Sequence, residues 1–406
     1  MKSFYERIMH IDRRIIYAII MIVVLIPLIW SLNLKTYHTE PITKIYNRLE
    51  QNHKNAKKNG VKPKPVFMCV TYGGSAKPEL HPMTRSVLRH CYLRGIPVIS
   101  FAFEPEAAKI AEDIMDEVAF EYGAVYGKDY ACFGFKYPPL PLILGLGTNA
   151  KEALKEDVRG NKYEDIPVMH GIRTYDDIDL LFDFSASASW MTWVVYAKSR
   201  FNQDIAVGLT GVMVSQAYPY LETGQLVGIL TGLKGAAEYE DYLMKMEKET
   251  EYSSMREKNL KVYLTLTQAN ITPTSKNYVD IAERLLRNTP EGEFEKKLKD
   301  YYDIAQNLYY KKYFAKELSA RESKAKNDAE KKSLLNDILS QNQDKVKELD
   351  YLFLKDFKKK YNDLLATSIS ENKRAMVGMD AQAIAHVVII LFILIGNIGF
   401  FLSKWR

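Results

Sequence analysis

The chain has 406 residues, of which 47% are hydrophobic and 26% charged, with a formal net charge of +6. That length has room for two or three domains, and so dilute a positive charge does not point to nucleic acid. Its three cysteines, Cys69, Cys91 and Cys132, form no C-x-x-C pair and read as buried small hydrophobes.

After an N-terminal tail (1–14), residues 15–32, IIYAIIMIVVLIPLIWSL, are uncharged and almost wholly apolar, with Arg13 and Arg14 before them. At the other end, residues 383–402 are apolar apart from His386 and Asn397 and run into the short tail 403–406. Each segment has about the length that crosses a roughly 30 Å hydrocarbon layer. Trp30 and Trp405 stand where interfacial aromatics belong. The first run is longer than a signal-peptide core and is followed by no A-x-A-like site, which favours an uncleaved anchor. Two spans put both tails on one side of the bilayer and residues 33–382 on the other. His386 and Asn397, polar within a span, suggest that the spans pack together or oligomerise.

Six basic residues lie on the tails: Lys2, Arg7, Arg13, Arg14, Lys404 and Arg406. Beside the spans on the domain side stand four: Lys35, Lys44, Lys373 and Arg374. This bias favours cytoplasmic tails and an extracytoplasmic domain. The cytoplasmic alternative stays open, because Lys54, Lys57, Lys58, Lys62 and Lys64 lie only a little further on, and unpaired cysteines suit a reducing compartment.

Residues 33–64 read as a basic juxtamembrane linker, which would either touch anionic headgroups or stay solvated. From Pro65 short apolar runs alternate with helical patterns. The strand candidates are 66–72, 97–103, 129–135, 141–147, 177–184 and 204–214. Helical runs follow the first two at PELHPMTRSVLRHCYLRG and EAAKIAEDIMDEVAFEYG. The pattern predicts an α/β domain over 65–240, a Rossmann-like parallel sheet with helices on both faces. Its strand order is not readable, but its functional loops belong at the carboxyl edge.

Residues 224–240, GQLVGILTGLKGAAEYE, carry Gly224, Gly228, Gly232 and Gly235 at helical spacing, although glycine costs a helix about 1 kcal/mol each against alanine. The uncharged stretch 223–233 is eleven residues long, too short to span a membrane. It predicts a buried helix whose small face, Gly228, Gly232 and Gly235, admits another backbone. From 241 to 376 the chain holds 27 Lys and Arg against 23 Asp and Glu, with apolar residues mostly three or four apart. This region predicts long charged helices, either a solvated hairpin packing on itself or an arm for a protein partner. Tyr301, Tyr302, Tyr309, Tyr310 and Tyr313 would give the arm a sticky face.

Three places suggest a ligand, each with a plainer reading. Gly73, Gly74 and Ser75, after the first strand, would bring backbone amides to an anion; they would equally form a tight turn. Gly145, Gly147 and Thr148 would join a strand to a capped helix and suit phosphate or carboxylate, but no P-loop lysine completes the motif. Asp183 and Ser185 begin DFSASASW, where a serine at an elbow resembles a nucleophile position; G-x-S-x-G is absent, no histidine partner is assignable, and the hydroxyls also suit capping. His81, His90 and His170 lack metal-ligand spacing, so no metal site is predicted. The catalytic residues and any cofactor stay unassigned.

PLILGLG (141–147), the turn at 156–160, EDIPVMHGI (164–172), AYPYL (217–221), the 224–240 segment and the closing GMDAQAIAHVVIILFILIGN resemble a group of prokaryotic membrane-anchored proteins without an established activity. The resemblance covers about 65–240 and 378–402 and skips the charged helices, which look like an insertion. It implies that these pieces form one unit with the last span and implies nothing about substrate.

Two functions are consistent with this sequence. One is a membrane-anchored scaffold or binding protein whose partners are the bilayer and a protein, or a second copy met through the spans or the arm. The other is a membrane-tethered enzyme that binds a phosphorylated or nucleotide-like ligand at the carboxyl edge.

Overall fold

The computed structural model describes residues 13–29, 37–248, 252–272, 278–287, 289–323 and 328–404. The tails at 1–12 and 405–406, the interfacial positions Trp30 and Trp405, and 33–36 of the expected linker lie outside the described residues.

Six strands make one parallel sheet in the order β3-β2-β1-β4-β5-β6. They are β1 Val66–Thr71, β2 Val98–Ala102, β3 Tyr130–Phe135, β4 Leu180–Ser185, β5 Ile205–Leu209 and β6 Gly228–Thr231. This is the order of doubly wound, Rossmann-type sheets, with the direction of winding reversing between β1 and β4. VFMCVT in β1 is buried at every position, as a strand covered on both faces requires.

One face of the sheet is covered by α2 (Glu40–Asn59), α3 (Lys77–Leu93), α4 (Pro105–Tyr122) and α7 (Gly232–Lys248). The other is covered by α5 (Pro139–Leu146), the helical turns over 190–201 and α6 (Val214–Glu222). Val66, Met68 and Val70 point into the first core; Phe67 and Cys69 point into the second. Cys69, Cys91 and Cys132 are free and buried.

Beyond the sheet come α8 (Tyr252–Gln268), α9 (Tyr278–Leu286), α10 (Glu291–Tyr313), α11 (Ala315–Glu322), α12 (Asp328–Gln341) and α13 (Gln343–Glu371). α8 docks on α4, and α10 and α13 pack on α8. The charged region is thus an arm with small apolar cores of its own. Last comes α14 (Arg374–Lys404), in which Arg374–Ile395 is long and apolar enough to cross a membrane. The N-terminal helix α1 (Arg13–Ile29) contains a shorter apolar stretch, Arg14–Pro27, and packs along α14. Of the two expected spans, one therefore meets the length and composition of a span among the described residues.

Three expected elements differ. PLILGLG is not the fourth strand but most of α5: Pro139 sits at the start of the helix, where its fixed φ and missing N–H are tolerated. A short apolar run does not by itself distinguish strand from helix. The 33–64 linker contains α2, whose Ile42, Ile45 and Leu49 are in the core. The glycine stripe is not one helix: Gly224 lies in a turn, Gly228 opens β6, and Gly232 starts α7 with φ of 51°. That left-handed backbone, which glycine adopts without penalty, turns the strand sharply into the helix.

Candidate functional site

At the carboxyl edge, β1 and β4 end in register, with Thr71 opposite Ser185 and Cys69 opposite Asp183. Asp183 is fully buried, and Thr71 Oγ1 donates to its Oδ1 at 2.9 Å. Burial pushes its carboxyl up to about 7, against hydrogen bonding from Thr71 that favours the charged form. Trp190 and Trp193 cover this side of the sheet, both without exposed surface. Asp183 is thus a sealed acid beneath the edge.

The glycine loop after β1 is already supplied with an anion. Glu106, in the first turn of α4, accepts the N–H of Gly74 at 2.9 Å. A Cβ on Gly73 would lie 2.6 Å from Glu106 Oε2, so a side chain there would push this carboxylate aside. Glu79 repeats the arrangement after β5, accepting the N–H of Gly211 at 2.9 Å. The exposed Ser75 follows Gly74 in the same loop.

Ser185, Ser187 and Ser189 bond to one another, with Ser185 Oγ and Ser189 Oγ 2.8 Å apart. Histidines that would activate them are committed elsewhere: His81 Nδ1 meets the Tyr72 hydroxyl, His90 bridges Glu50 and Tyr239, and His170 meets the Glu164 carbonyl. Gly145, Gly147 and Thr148 lie at the far end of α5, toward the amino edge, where Ala150 bonds to the Arg173 carbonyl ahead of β4. A Cβ on Gly147 would overlap the Phe201 ring, and Thr148 Oγ1 donates back to Leu144 and Gly145. The structure brings Gly73, Gly74, Ser75, Asp183 and Ser185 to one edge and leaves Gly145, Gly147 and Thr148 apart from them.

A second constellation, one that residue spacing did not reveal, lies on α7. Glu238 Oε2 accepts both the N–H and the hydroxyl of Thr39, at 2.7 and 2.8 Å, just where α2 begins. Glu240 accepts the N–H groups of Ala375 and Met376, at 3.2 and 3.0 Å, in the first turn of α14. A carboxylate there satisfies helix donors that have no intrahelical partner. Burial pushes the Glu240 carboxyl up to about 8, opposed by Arg89 and by the two N–H groups. Between these two glutamates, the Tyr239 hydroxyl meets His90 Nδ1 at 2.8 Å.

Asn372, two residues before α14, is held as firmly. Arg85 and Arg89, each 1% exposed on α3, reach Asn372: Arg85 Nε donates to its Oδ1 and Arg89 Nη1 to its carbonyl, both at 3.0 Å. Glu121 pairs with Arg85, and Glu247 accepts from Arg89 at 2.7 Å. Removing one member of such a buried pair costs on the order of 3–5 kcal/mol. The faint signal in the sequence was TRSVLRHC, two arginines four apart on one helical run.

No family model matches the chain, and neither a curated protein nor a solved structure is similar to it.

Proposed function

We propose that the chain is a membrane-anchored binding platform: a Rossmann-type module held at the bilayer by α1 and α14, with the charged helices as an arm for a protein partner. The supporting observation is the pair Glu238 and Glu240, which fixes Thr39, on the α2 side of α1, and the first turn of α14 to the same helix of the α/β module. A flexible tether would need no such bonds. Along α14, Ile390, Leu391, Ile393 and Leu394 are all at least half exposed, a surface that suits lipid rather than water. The excess of basic residues on the tails supports an extracytoplasmic module. On the arm, Tyr351 and Leu354 of α13 are 64% and 55% exposed and offer apolar contact to a partner or a second copy.

The test is a photo-crosslinking residue at 351 or 354 in the full chain in its native membrane. A discrete adduct, absent when the probe is at the exposed Val61, is expected. Identical patterns at all three positions would remove the arm from the reading.

A second reading, an enzyme, retains one observation in its favour. Asp183 is a buried carboxyl shifted to about 7 and placed where the sheet winding reverses, as general acids and bases often are. Against a phosphorylated ligand stand Glu106 and Glu79, each of which already takes one loop amide and sets a carboxylate where a phosphate would sit.

A further inference from the structure

The helix that suits a membrane leaves the module at the carboxyl edge of the sheet. α7 starts at that edge, directly after β6, and runs back over the sheet. α14 packs along α7 in the opposite sense: Met376 bonds to Glu240, and Gly378 lies against Leu233, 3.6 Å from a Cβ placed on the glycine to Leu233 Cδ1. Advancing along α14 therefore means moving back along α7 toward the edge. Met379 still packs on the core and Ala381 is buried, whereas Gln382 and Ala383 are exposed. The apolar run begins where contact with the module ends.

The same edge carries exposed apolar side chains at two places, the junction of β3 with α5 and the loop after β5. Phe135 at the end of β3, Tyr137 and Leu140 are 44%, 74% and 40% exposed. Val212, after β5, is 83% exposed. β3 and β5 stand four places apart in the sheet, about 19 Å at ordinary strand spacing. The apolar tips are thus separated feet rather than one patch.

We infer that the carboxyl edge is a lipid-contact surface, with the segments 135–140 and 210–213 resting in the headgroup layer of the bilayer that α14 crosses. This rests on the membrane-anchored reading above. Tyrosine, with an apolar ring and a polar tip, suits that layer. The exposed carboxylates of Glu104 and Glu106 share the edge with the exposed Lys77 and Lys234, a mixed charge that fits a neutral interface better than a strongly anionic one. Anything that reaches the Gly73–Gly74 loop then arrives along the membrane surface.

The test uses the full chain in phosphatidylcholine nanodiscs, with one nitroxide at a time on Tyr137→Cys, Val212→Cys, Val61→Cys and Ile390→Cys. Val61, 63% exposed, precedes β1 at the opposite edge, and the unsubstituted chain controls for the buried native cysteines. Labels at 137, 212 and 390 are expected to relax more with oxygen than with a water-soluble nickel chelate, and the label at 61 the reverse. Labels at 137 and 212 that behave like the one at 61, with 390 in lipid, overturn the lipid-contact surface and leave the anchor standing. A label at 390 in water overturns the anchored reading and this surface together.

Discussion

Glu240 on α7 accepts the backbone N–H of Met376, 136 residues later in the chain, at 3.0 Å. A side chain of the α/β module thereby completes the first turn of the helix that leaves it. The bond is buried, with Glu240 only 1% exposed, so water does not replace it when it is lost.

The pH dependence follows from that burial. Glu240 titrates at about 8 in the folded chain and near the ordinary carboxylate value when unfolded. Between those values the folded chain holds the extra proton, so this contribution is fully present below the unfolded pKa. It is lost as pH rises through about 8. Thermal unfolding of the detergent-solubilised chain is expected to fall in midpoint from pH 6 to pH 9. Glu240→Gln, which keeps one of the two acceptor oxygens and does not titrate, flattens that slope, while Glu240→Ala costs about 1–3 kcal/mol at every pH by leaving both buried donors unpaired. Equal slopes for wild type and Glu240→Gln would show that another group carries the effect.

Gly228 tests the contact between α2 and the sheet. A Cβ there would lie 2.3 Å from the Pro41 carbonyl oxygen and 2.6 Å from Ile45 Cγ1, so the start of α2 has to move. Gly228→Ala is expected to destabilise by about 1–3 kcal/mol, as overpacking does. Gly292→Ala, on α10 with nothing within 4 Å of the new methyl, is the control and is neutral or slightly stabilising. Matching unfolding midpoints for the two variants would mean that β6 and α2 are not so closely apposed.

The loop carboxylates make a prediction about ligands. With Glu106 on the Gly74 amide and Glu79 on the Gly211 amide, the wild type is expected to show no thermal stabilisation by nucleotides or sugar phosphates at millimolar concentration. A clear upward shift that Asp183→Asn abolishes would instead favour the enzyme reading.

How far the sequence revealed all this depends on the range of the interactions. β1, β2, β3, β4 and β5 were legible because VFMCVT, VISFA and their like are short apolar runs bounded by turn residues, a local pattern. β6 was hidden because Gly228–Thr231 is only four residues long and sits within glycines whose spacing mimics a helix. α5 was misassigned because a brief apolar run has no period to measure. At the carboxyl edge, Gly73, Gly74, Asp183 and Ser185 could be picked out by their position at or just after strand ends, but Glu106, which fills the loop, could not. The Arg85, Arg89 and Asn372 cluster joins residues more than 280 positions apart, and no spacing rule reaches that far.

Glu238 and Glu240 are two positions apart on a helix that turns about 100° per residue, so they leave α7 on nearly opposite sides. One grips Thr39 and the other grips Met376. Held from both flanks, α7 acts as a keyed shaft. A twist or a pull on α14 reaches α7 through Glu240, and α7 continues directly from β6.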